Sequence, residues 1–431
     1  ESIGVAGRYD LSLTGDNAIC IHCGQCANVC AYHAIIIQER PCAAACGMDA
    51  IHSDMNGKAD IDYNKCVSCG QCLVNCPFGA IADKSQIFQV IRAIQTGERV
   101  YAAVAPAFVG QFGQKVTPGK LRAAMKALGF ADVFEVAIGA DLCAVQEAED
   151  FVKEVPEQLP FMATSCCPAW VKFVCDQYPE FKDNLSTCRS PQGMFSAVIK
   201  EYYKNPERSQ NKKTFVVSIM PCTAKKMEIL RSNNFTHGEQ DTDIVLTTTE
   251  IIRMINNSGI DFASQETEAC DMPFGFGSGA GAIFGVTGGV TEAMLRRLAD
   301  DHNKATMDAI AEAGARGDEG IKEFTVNYKG TDLNVCVASG LANAQTVMED
   351  VKSGRKHYHI IEIMACRRGC IMGGGQPPRA GDRTKSARRD GLYQADHVTS
   401  IRKADENPLI LALYDTLLKD KTHELLHVDK Y

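Results

Sequence analysis

The sequence lacks the features that mark membrane, exported and nucleic-acid-binding proteins. None of its apolar runs is long enough to cross a bilayer. Its first residues show no basic segment followed by an apolar one and no twin arginine, so we expect no export signal. A net charge of −8 without a long basic tract argues against nucleic-acid binding. The 431 residues are enough for two or three domains.

Histidine shows no ligand-like clustering, whereas cysteine is abundant, with 20 residues. Many of these cysteines stand in C-x2-C-x2-C-x3-C runs, which are typical of iron ligation rather than of disulfides in a chain of this size. Thiolate ligands persist in a reducing compartment, so the predicted location is the cytoplasm of an anaerobe. A smaller group stands alone in apolar surroundings, and we expect buried structural thiols there: Cys143, Cys175, Cys188, Cys270 and Cys336.

The first hundred residues contain a repeated cysteine run. The two copies are Cys20, Cys23, Cys26 and Cys30, and then Cys66, Cys69, Cys72 and Cys76. Both runs resemble the bacterial ferredoxin motif, in which three close cysteines bind one cubane and the fourth binds the other. A zinc ribbon, the alternative, favours C-x2-C pairs. The repeat predicts a ferredoxin-like α+β domain over residues 1–97 with two [4Fe–4S] clusters that carry electrons.

A half-motif lies between the two runs. Cys42 and Cys46 resemble the last two cysteines of a third unit, and Gly47 follows them. Ten cysteines exceed the eight ligands that two cubanes need. The separation of Cys46 from Cys66 resembles the usual gap between paired ferredoxin units, so Cys46 competes with Cys30 as the fourth ligand of the second cluster. The sequence leaves both possibilities open.

Residues 98–431 show a different pattern. Apolar runs over 100–104, 214–219 and 359–363 are predicted to be buried parallel strands, and helical stretches alternate with them. This alternation predicts an α/β domain with two lobes. Ligands of such sheets gather beyond the carboxyl ends of the strands. Ala105 and Pro106 follow one strand end, and Cys167, Cys222 and Cys366 follow others, so we expect one site between the lobes.

Four cysteines in three separate segments are candidate metal ligands: Cys167 in TSCCPAW, Cys222 in MPCTAKK, and Cys366 and Cys370 in MACRRGC. Four thiolates can bind one cubane cluster. Pro168 suits the first position of a helix, which places Cys167 at a helix N-terminus. The spacing of Cys366 and Cys370 predicts that they share one helix face. Burial as ordinary core thiols, the alternative, explains neither the glycines after Cys370 nor Lys225 beside Cys222.

Together the three segments resemble the motifs of the [FeFe]-hydrogenases, and the resemblance runs from about residue 98 to the C-terminus. TSCCPAW, with Ala169, resembles a second subgroup of the clostridial-type enzymes. The resemblance implies reversible oxidation of H2 to protons and electrons at an H-cluster, a [4Fe–4S] cubane bridged to a diiron unit with carbon monoxide, cyanide and dithiolate ligands. It also implies that Cys370 bridges the two parts, while Cys167, Cys222 and Cys366 hold the other cubane corners.

The resemblance assigns roles to further residues. Lys225 would donate to one cyanide, and the segment Ala105–Pro106 would offer a backbone donor to the other. The pocket lining would include Met220, Gln192, Phe284 and Met364. Protons would pass through Cys166, whose thiol has an ordinary pKa of about 8.5, and then through Glu147, Ser186 and Asp150. Asp150 departs from the more usual glutamate, which leaves a gap that an ordered water can fill. The alternatives are a buried thiol at Cys166 and a solvated helix face for the two acids.

The implied partners are a ferredoxin or a flavodoxin as electron carrier, H2 and protons as substrates, and maturation proteins that insert the diiron unit. Two other functions stay open at this point. A non-catalytic or hydrogen-sensing relative on the same scaffold usually lacks the cysteine at position 166, which this chain has. A simple polyferredoxin would leave the three motifs after residue 98 unexplained.

Overall fold

A computed structural model describes residues 29–32, 40–56, 58–109, 117–155, 158–299, 301, 303–378, 382–429 and 431. Cys20, Cys23 and Cys26 therefore lie outside the described residues. Within this part of the chain no helix is both long enough and apolar enough to span a membrane.

The described strands are β1 Ile51–Ser53, β2 Ala59–Ile61, β3 Arg99–Val104, β4 Asp132–Glu135, β5 Met162–Ala163, β6 Thr214–Met220, β7 Phe235–Thr236, β8 Glu239–Gln240, β9 Ile244–Thr247, β10 Ile321–Tyr328, β11 Thr331–Ser339 and β12 Ile360–Met364. The described α-helices are α1 Pro41–Ala44, α2 Gln71–Asn75, α3 Ile87–Gln95, α4 Pro118–Ala127, α5 Ala137–Glu154, α6 Pro168–Gln177, α7 Pro191–Tyr203, α8 Ala224–Glu228, α9 Thr248–Asn257, α10 Gly279–Ala282, α11 Gly289–Leu298, α12 Lys304–Ile310, α13 Leu341–Lys352, α14 Asp382–Val398, α15 Pro408–Asp415 and α16 Thr422–Leu426.

Two four-stranded sheets form the framework after residue 98. The first has the order β4–β3–β6–β9 and is parallel throughout, and the second has the order β10–β11–β12–β5 and is parallel except between β10 and β11. The three predicted strands are confirmed: β3 and β6 are buried partners in the first sheet, and β12 is buried in the second. The mixture of sheets and helices in two lobes agrees with the predicted α/β class.

Strand register determines where the chain leaves each sheet. Val104 of β3 lies opposite Ile219 of β6, so the residues that follow both strands emerge at the same edge. In the second sheet Ile361 of β12 lies opposite Ala163 of β5, and their continuations also emerge together. Parallel pairing thus brings together four segments that are distant in sequence. Two of them follow adjacent strands of the first sheet, and two follow adjacent strands of the second.

Helix α5 connects the two lobes. Leu142 near its middle packs in the core of the first sheet with Val216, whereas Phe151 near its end packs with Val335 in the core of the second sheet. Gly139 allows α7 to approach closely, because a Cβ at this position would lie 2.2 Å from the carbonyl oxygen of Pro191. The helix is therefore buried on most of its circumference, and this places Asp141 and Glu147 in the protein interior.

Helix α3 precedes the predicted domain boundary at residue 97. Its Val90 and Ala93 are nevertheless buried in the same core cluster as Val100 and Ala102 of β3. The backbone N–H of Gln86, just before the helix, donates to Glu250 on α9 at 2.9 Å. The division into residues 1–97 and 98–431 stays a prediction, and α3 packs with the second part.

A buried network of ion pairs links α14 to α11. Asp396 accepts hydrogen bonds from Arg296 at 2.7 and 2.8 Å, from Arg316 at 2.9 Å and from Arg402 at 3.0 Å. Arg296 and Asp396 are almost fully buried. Burial alone would raise the pKa of the Asp396 carboxyl, but the arginine hydrogen bonds outweigh it and lower this pKa to about 2.

Replacing Asp396 with asparagine should lower the free energy of unfolding by about 3–5 kcal/mol, because the arginines would remain buried with less compensating charge. The pKa of Asp396 is depressed in the folded state, so its stabilising contribution is present above the ordinary pKa and is lost as the pH falls towards 2. Urea unfolding followed by circular dichroism at neutral pH measures the change. Asp415→Asn, at an exposed site on α15, is the control, and equal unfolding midpoints for the two variants would contradict this role.

Candidate active site

A single cavity lies between the two sheets, where the strand ends meet. It contains about 820 Å³ of space not filled by protein atoms. Its walls come from the segments after β3, β5, β6 and β12 together with α5, α7 and the turn around Phe284. The lining is mostly apolar, and Lys225 is its one cationic side chain among the described residues.

All four predicted H-cluster cysteines line this cavity. Cys167 is the N-cap of α6, as the sequence predicts, and Cys222 follows β6 just before α8. Backbone N–H groups of α8 point at the Cys222 sulfur, in the arrangement that favours a thiolate at a helix N-terminus. Cys366 follows β12 and is buried, while the other three expose part of their surface to the cavity.

The prediction that Cys366 and Cys370 lie on one helix is wrong. A tight turn separates them, with Arg368 at φ +66° and Gly369 at φ +86°, and Cys370 begins a short 3₁₀ turn. The N–H of Gly369 donates to the carbonyl of Cys366 at 3.0 Å. A Cβ on Gly369 would lie 2.7 Å from the backbone nitrogen of Thr287, so only glycine fits at this position of the turn.

The glycines after Cys370 allow close packing of the ligand segments. A Cβ on Gly373 would lie 2.2 Å from the carbonyl oxygen of Pro221, and one on Gly375 would lie 2.9 Å from the backbone nitrogen of Cys222. The N–H of Gly375 donates to the same Pro221 carbonyl at 2.8 Å. The segments that carry Cys222 and Cys370 are therefore held against each other by their backbones.

The donor set fits an iron–sulfur cluster. Burial raises the pKa of the Cys222 thiol to about 11, and it raises the pKa values of Cys366 and Cys370 still further, with the neighbouring sulfurs adding to the shift. Cys222, Cys366 and Cys370 can ionise together only if a cation replaces their protons. A thiol-lined cavity with apolar walls beyond the sulfurs has the chemistry that a cubane with an attached diiron unit requires.

Lys225 is buried beside the cluster cysteines. Its ammonium pairs with Glu228 at 2.8 Å and donates to the carbonyl of Cys166 at 3.1 Å. Burial disfavours its charge, but Glu228 outweighs that effect and raises the pKa of Lys225, so the side chain stays cationic. An ammonium has three N–H donors. These two contacts leave one donor for an anionic ligand in the cavity.

The remaining predicted pocket residues also line the cavity: Ala105, Pro106, Met220, Gln192, Phe284 and Met364. The Gln192 side chain donates to Glu228 at 3.2 Å, and its carbonyl oxygen has no hydrogen-bond partner among the described residues. Ala105 is followed by the 3₁₀ turn Pro106–Phe108, which brings backbone groups to the cavity wall.

Cys166 lies in the cavity wall with Glu147 of α5 close to it. Burial, and then the charge of Glu147, raise the pKa of the Cys166 thiol far above its ordinary value. Burial also raises the pKa of the Glu147 carboxyl to about 8, although the N–H of Ser165 and the hydroxyl of Ser186 act in the opposite direction. Neither carboxylate oxygen of Glu147 forms a hydrogen bond with a described residue. This buried carboxyl is therefore not a solvated helix face.

Ser186 and Asp150 continue from Glu147 towards the surface. The Ser186 hydroxyl is buried and accepts a hydrogen bond from the N–H of Cys188 at 3.2 Å. Asp150 is half-buried, and burial raises the pKa of its carboxyl to about 6. Its closest partners are Cys188, whose thiol lies 3.8 Å from it, and His427, at 3.6 Å. The structure thus groups Asp150 with Cys188 and with His427, and nothing in the sequence associated His427 with it.

In the front region, Cys46 lies near three cysteines of the second run. Helix α1, which precedes Cys46, packs on α2, which carries Cys72. Burial raises the pKa of Cys69 to about 12, and Cys72, Cys46 and Cys66 all add to that shift. Burial also raises the pKa of Cys72, and Cys66 and Cys46 add to that shift.

The other described front cysteines differ from this group. Cys76 is half-buried and accepts a hydrogen bond from the N–H of Ala80 at 3.3 Å, and neighbouring N–H groups lower the pKa of its thiol. Cys42 is buried within α1, and Cys30 is half-buried.

The front region contacts the cavity directly at Cys69. This residue lines the cavity wall, and its carbonyl oxygen lies 4.0 Å from the sulfur of Cys366. Gly70 allows the approach, because a Cβ there would lie 2.5 Å from the Thr223 hydroxyl and 2.9 Å from the Cα of Gly374. The Thr223 hydroxyl also donates to the carbonyl of Ser68 at 2.7 Å. Two cysteine groups from distant parts of the chain are therefore in contact.

The expectation that the isolated cysteines are buried is wrong for Cys175 and Cys270. Cys143, Cys188 and Cys336 are buried as predicted, but Cys175 and Cys270 are half-buried. Cys188 also lies beside a histidine and a carboxylate. Its partner His427 is far away in the sequence, so local spacing gave no signal for this contact.

Comparison with known proteins agrees with the site. Residues 98–374 match the family model described as the C-terminal domain of the iron-only hydrogenase large subunit. Residues 382–429 match the model for the iron hydrogenase small subunit. Residues 19–80 match the model for a 4Fe-4S dicluster domain. The chain is 37% identical to iron hydrogenase 1 of Clostridium pasteurianum over 443 residues, covering 96% of this chain and 75% of that protein. It is 36% identical to the NADP-reducing hydrogenase subunit HndD of Solidesulfovibrio fructosivorans, covering 97% and 75%.

Solved structures give the same result. The fold matches an apo [FeFe]-hydrogenase from Chlamydomonas reinhardtii with a TM-score of 0.67 and 30% identity, covering 80% of this chain and 99% of that one. More distant similarity extends to cytosolic iron-sulfur assembly component 3 of Mus musculus, 29% identical over 72% of this chain and 68% of that protein. The large-subunit match covers more than half of the sequence. The chain belongs to the [FeFe]-hydrogenase family, and its cofactors are an H-cluster and [4Fe–4S] clusters of the ferredoxin type.

Proposed function

We propose that this hydrogenase catalyses the reversible reaction H2 + 2 oxidised ferredoxin = 2 reduced ferredoxin + 2 H⁺. One observation carries the proposal. The four candidate ligands, the thiol of Cys166 and the ammonium of Lys225 all line a single cavity, and Cys69 of the front region reaches the same wall. One cavity thus contains a site for iron, a residue that can carry protons and a residue through which electrons can enter.

We infer that Cys167, Cys222 and Cys366 hold three cubane corners and that Cys370 holds the fourth and bridges to the diiron unit. When bound, the H-cluster supplies the centre where the H–H bond is broken or formed. Lys225 would donate its remaining N–H to a cyanide, and its pairing with Glu228 supports this role because it fixes the ammonium in place. The turn after Ala105 would supply a backbone donor to the other cyanide. The apolar lining keeps water away from the cluster.

Protons are proposed to move between the cavity and the surface through Cys166, Glu147, Ser186 and Asp150. The pKa of Glu147, about 8, suits an acid that both holds and releases a proton near neutral pH. The pKa of Asp150, about 6, suits an exit closer to solvent. Because the oxygens of Glu147 lack a direct partner among the described residues, ordered water would complete the connection.

Electrons are proposed to enter through the front clusters and reach the H-cluster at Cys69. We infer that Cys66, Cys69 and Cys72 bind the inner cubane and that Cys46 is its fourth ligand. Cys20, Cys23 and Cys26 would bind the outer cubane together with Cys76 or Cys30. The contact between Cys69 and Cys366 supports this order, because it makes the path between the inner cubane and the H-cluster short.

The electron carrier is proposed to be a ferredoxin or a flavodoxin, and maturation proteins would insert the diiron unit. A second candidate is delivery to NADP through a partner subunit, since one relative is named an NADP-reducing hydrogenase subunit. A cytoplasmic location is also part of the proposal, although another relative is named a periplasmic enzyme. Reducing conditions would keep the cysteines available for iron.

The alternative is a non-catalytic protein on this scaffold, since some relatives are named iron–sulfur assembly factors. Cys166 favours catalysis, because it places an ionisable thiol in the cavity wall beside Glu147. A protein that only carries clusters does not need a proton carrier at that place.

The test is to measure infrared spectra and H2 evolution on the same anaerobically maturated protein. We expect bands from metal-bound carbon monoxide and cyanide, with H2 produced from both reduced methyl viologen and reduced ferredoxin. Bands without turnover would favour the non-catalytic alternative. Turnover with methyl viologen but not with ferredoxin or flavodoxin would exclude these carriers and favour the NADP-linked route.

A further inference from the structure

Three side chains with metal-ligand chemistry meet outside the cavity. The Nδ1 atom of His427 lies 3.6 Å from Oδ2 of Asp150, and the Cys188 sulfur lies 3.8 Å from the same oxygen. All three atoms are within 4.8 Å of one another. Cys188 and His427 are buried, and Asp150 is half-buried. The cluster joins the end of α5, the segment before α7 and the segment after α16.

The distances agree with tetrahedral zinc. Zinc binds cysteine sulfur at about 2.3 Å, histidine nitrogen at about 2.0–2.1 Å and carboxylate oxygen at about 2.0–2.2 Å. In a tetrahedron, ligand atoms at these distances lie about 3.3–3.7 Å from each other. The observed separations of 3.6 and 3.8 Å are close to these values. The third separation, between the Cys188 sulfur and Nδ1 of His427, is within 4.8 Å.

Hydrogen bonding fixes His427 in the form that binds a metal through Nδ1. Its Nε2 atom lies 2.9 Å from the carbonyl oxygen of Gln146, so Nε2 carries the hydrogen. The orientation of the Gln146 amide is set by its NH2 group, which donates to the hydroxyl of Tyr414 at 2.8 Å. Nδ1 is therefore an acceptor, and the Thr187 hydroxyl donates to it at 3.1 Å. Metal-binding histidines are typically held in this way by a partner on the other nitrogen.

The backbone holds two of the ligands in place. Cys188 and His427 are partners in an antiparallel β-bridge, which directs their side chains to the same side. The N–H of Val428 donates to the carbonyl of Thr187 at 2.8 Å and strengthens the pairing. The Nδ1 atom of His427 and the Asp150 carboxylate face each other without a hydrogen bond between them, so a cation that displaces the Thr187 hydroxyl from Nδ1 would bind both.

We propose that Asp150, Cys188 and His427 bind one Zn²⁺ ion with a water as the fourth ligand, and that bound Zn²⁺ stops proton transfer through Asp150. Binding would displace the thiol proton of Cys188 to solvent, leaving a thiolate on the metal. The second part rests on the proposed function, since it requires Asp150 to carry protons. The first part is independent of it.

Binding is tested on the mature holoenzyme, first treated with EDTA and then equilibrated with buffered ZnCl2 without oxygen. Zinc retained after gel filtration is counted by mass spectrometry. We expect one bound zinc per chain, with an affinity at least about 100-fold weaker in Cys188→Ala and His427→Ala. Gln146→Leu should weaken binding by about 10–100-fold, because it removes only the outer hydrogen bond. Cys175→Ala, which changes a half-buried thiol elsewhere, is the control and should bind like the unmodified chain.

Inhibition is measured as H2 evolution from reduced methyl viologen, each variant against its own zinc-free rate. We expect zinc to lower the rate reversibly, with EDTA restoring it, and the half-inhibiting concentration to rise at least about 100-fold in the two ligand variants. Unchanged cluster absorbance across the variants establishes that they are folded. Equal zinc affinity in all variants, or no bound zinc, would overturn the site. Bound zinc without inhibition would leave the site standing and remove Asp150 from the proton route.

Discussion

Replacing Cys166 with serine should lower H2 turnover by about 10²–10⁴-fold, the usual contribution of a positioned proton carrier. A serine hydroxyl occupies nearly the same volume but does not give up its proton in the range where a thiol does. The effect should be equal for H2 evolution and H2 oxidation, because protons use the same route in both directions. Rates with reduced and oxidised methyl viologen measure the two directions.

Cys143→Ser provides a matched control for this experiment. Cys143 is also a buried thiol, it lies on α5 one turn before Glu147, and burial likewise raises its pKa. It does not line the cavity, so the control should keep most of its turnover. Iron content and the carbon monoxide and cyanide bands should match in both variants. A Cys166→Ser enzyme as active as Cys143→Ser would remove the thiol from the mechanism.

The second large effect concerns the front clusters. Cys46→Ala should lose one cubane, about four iron atoms, and its turnover with reduced ferredoxin should fall at least about tenfold. The reason is that Cys46 lies with Cys66, Cys69 and Cys72, and this group contacts the H-cluster cavity. Iron analysis and electron paramagnetic resonance of the reduced protein measure the loss.

Cys42→Ala is the control for Cys46, because Cys42 is buried in α1 only four residues away. It should keep its full iron content. Cys30→Ala tests the competing assignment, which the sequence left open. Loss of the inner cubane in Cys30→Ala, together with its retention in Cys46→Ala, would reverse the assignment.

Much of the site could be predicted because parallel strands place their carboxyl ends together. Apolar runs in the sequence predict the strands. The segments after β3, β5, β6 and β12 then carry many of the residues that line the cavity. The motifs around Cys167, Cys222 and Cys370 then indicated which chemistry the cavity supports. The first inference needed only local sequence and a general rule of sheet architecture. The second rested on the resemblance of the motifs to those of the [FeFe]-hydrogenases.

The errors and omissions arose where tertiary contacts override local pattern. The spacing of Cys366 and Cys370 fits a helix, but Arg368 and Gly369 have positive φ angles in a turn that packs against the backbone of Thr287. His427 meets Cys188 only because a β-bridge joins the C-terminal segment to the segment before α7. No spacing rule contains these two contacts. The spacing did associate Cys46 with the second cysteine run, and the packing of α1 on α2 favours it over Cys30.

The most direct test is anomalous diffraction at the iron absorption edge from crystals of the maturated protein. We expect six iron atoms in the cavity bounded by Cys167, Cys222, Cys366 and Cys370, four of them as a cubane and two as a pair attached through Cys370. The iron pair should lie on the side of the cavity that contains Cys166 and Lys225. Iron bound elsewhere with an empty cavity, or zinc on these four sulfurs, would contradict the assignment of this cavity as the hydrogen-activating centre.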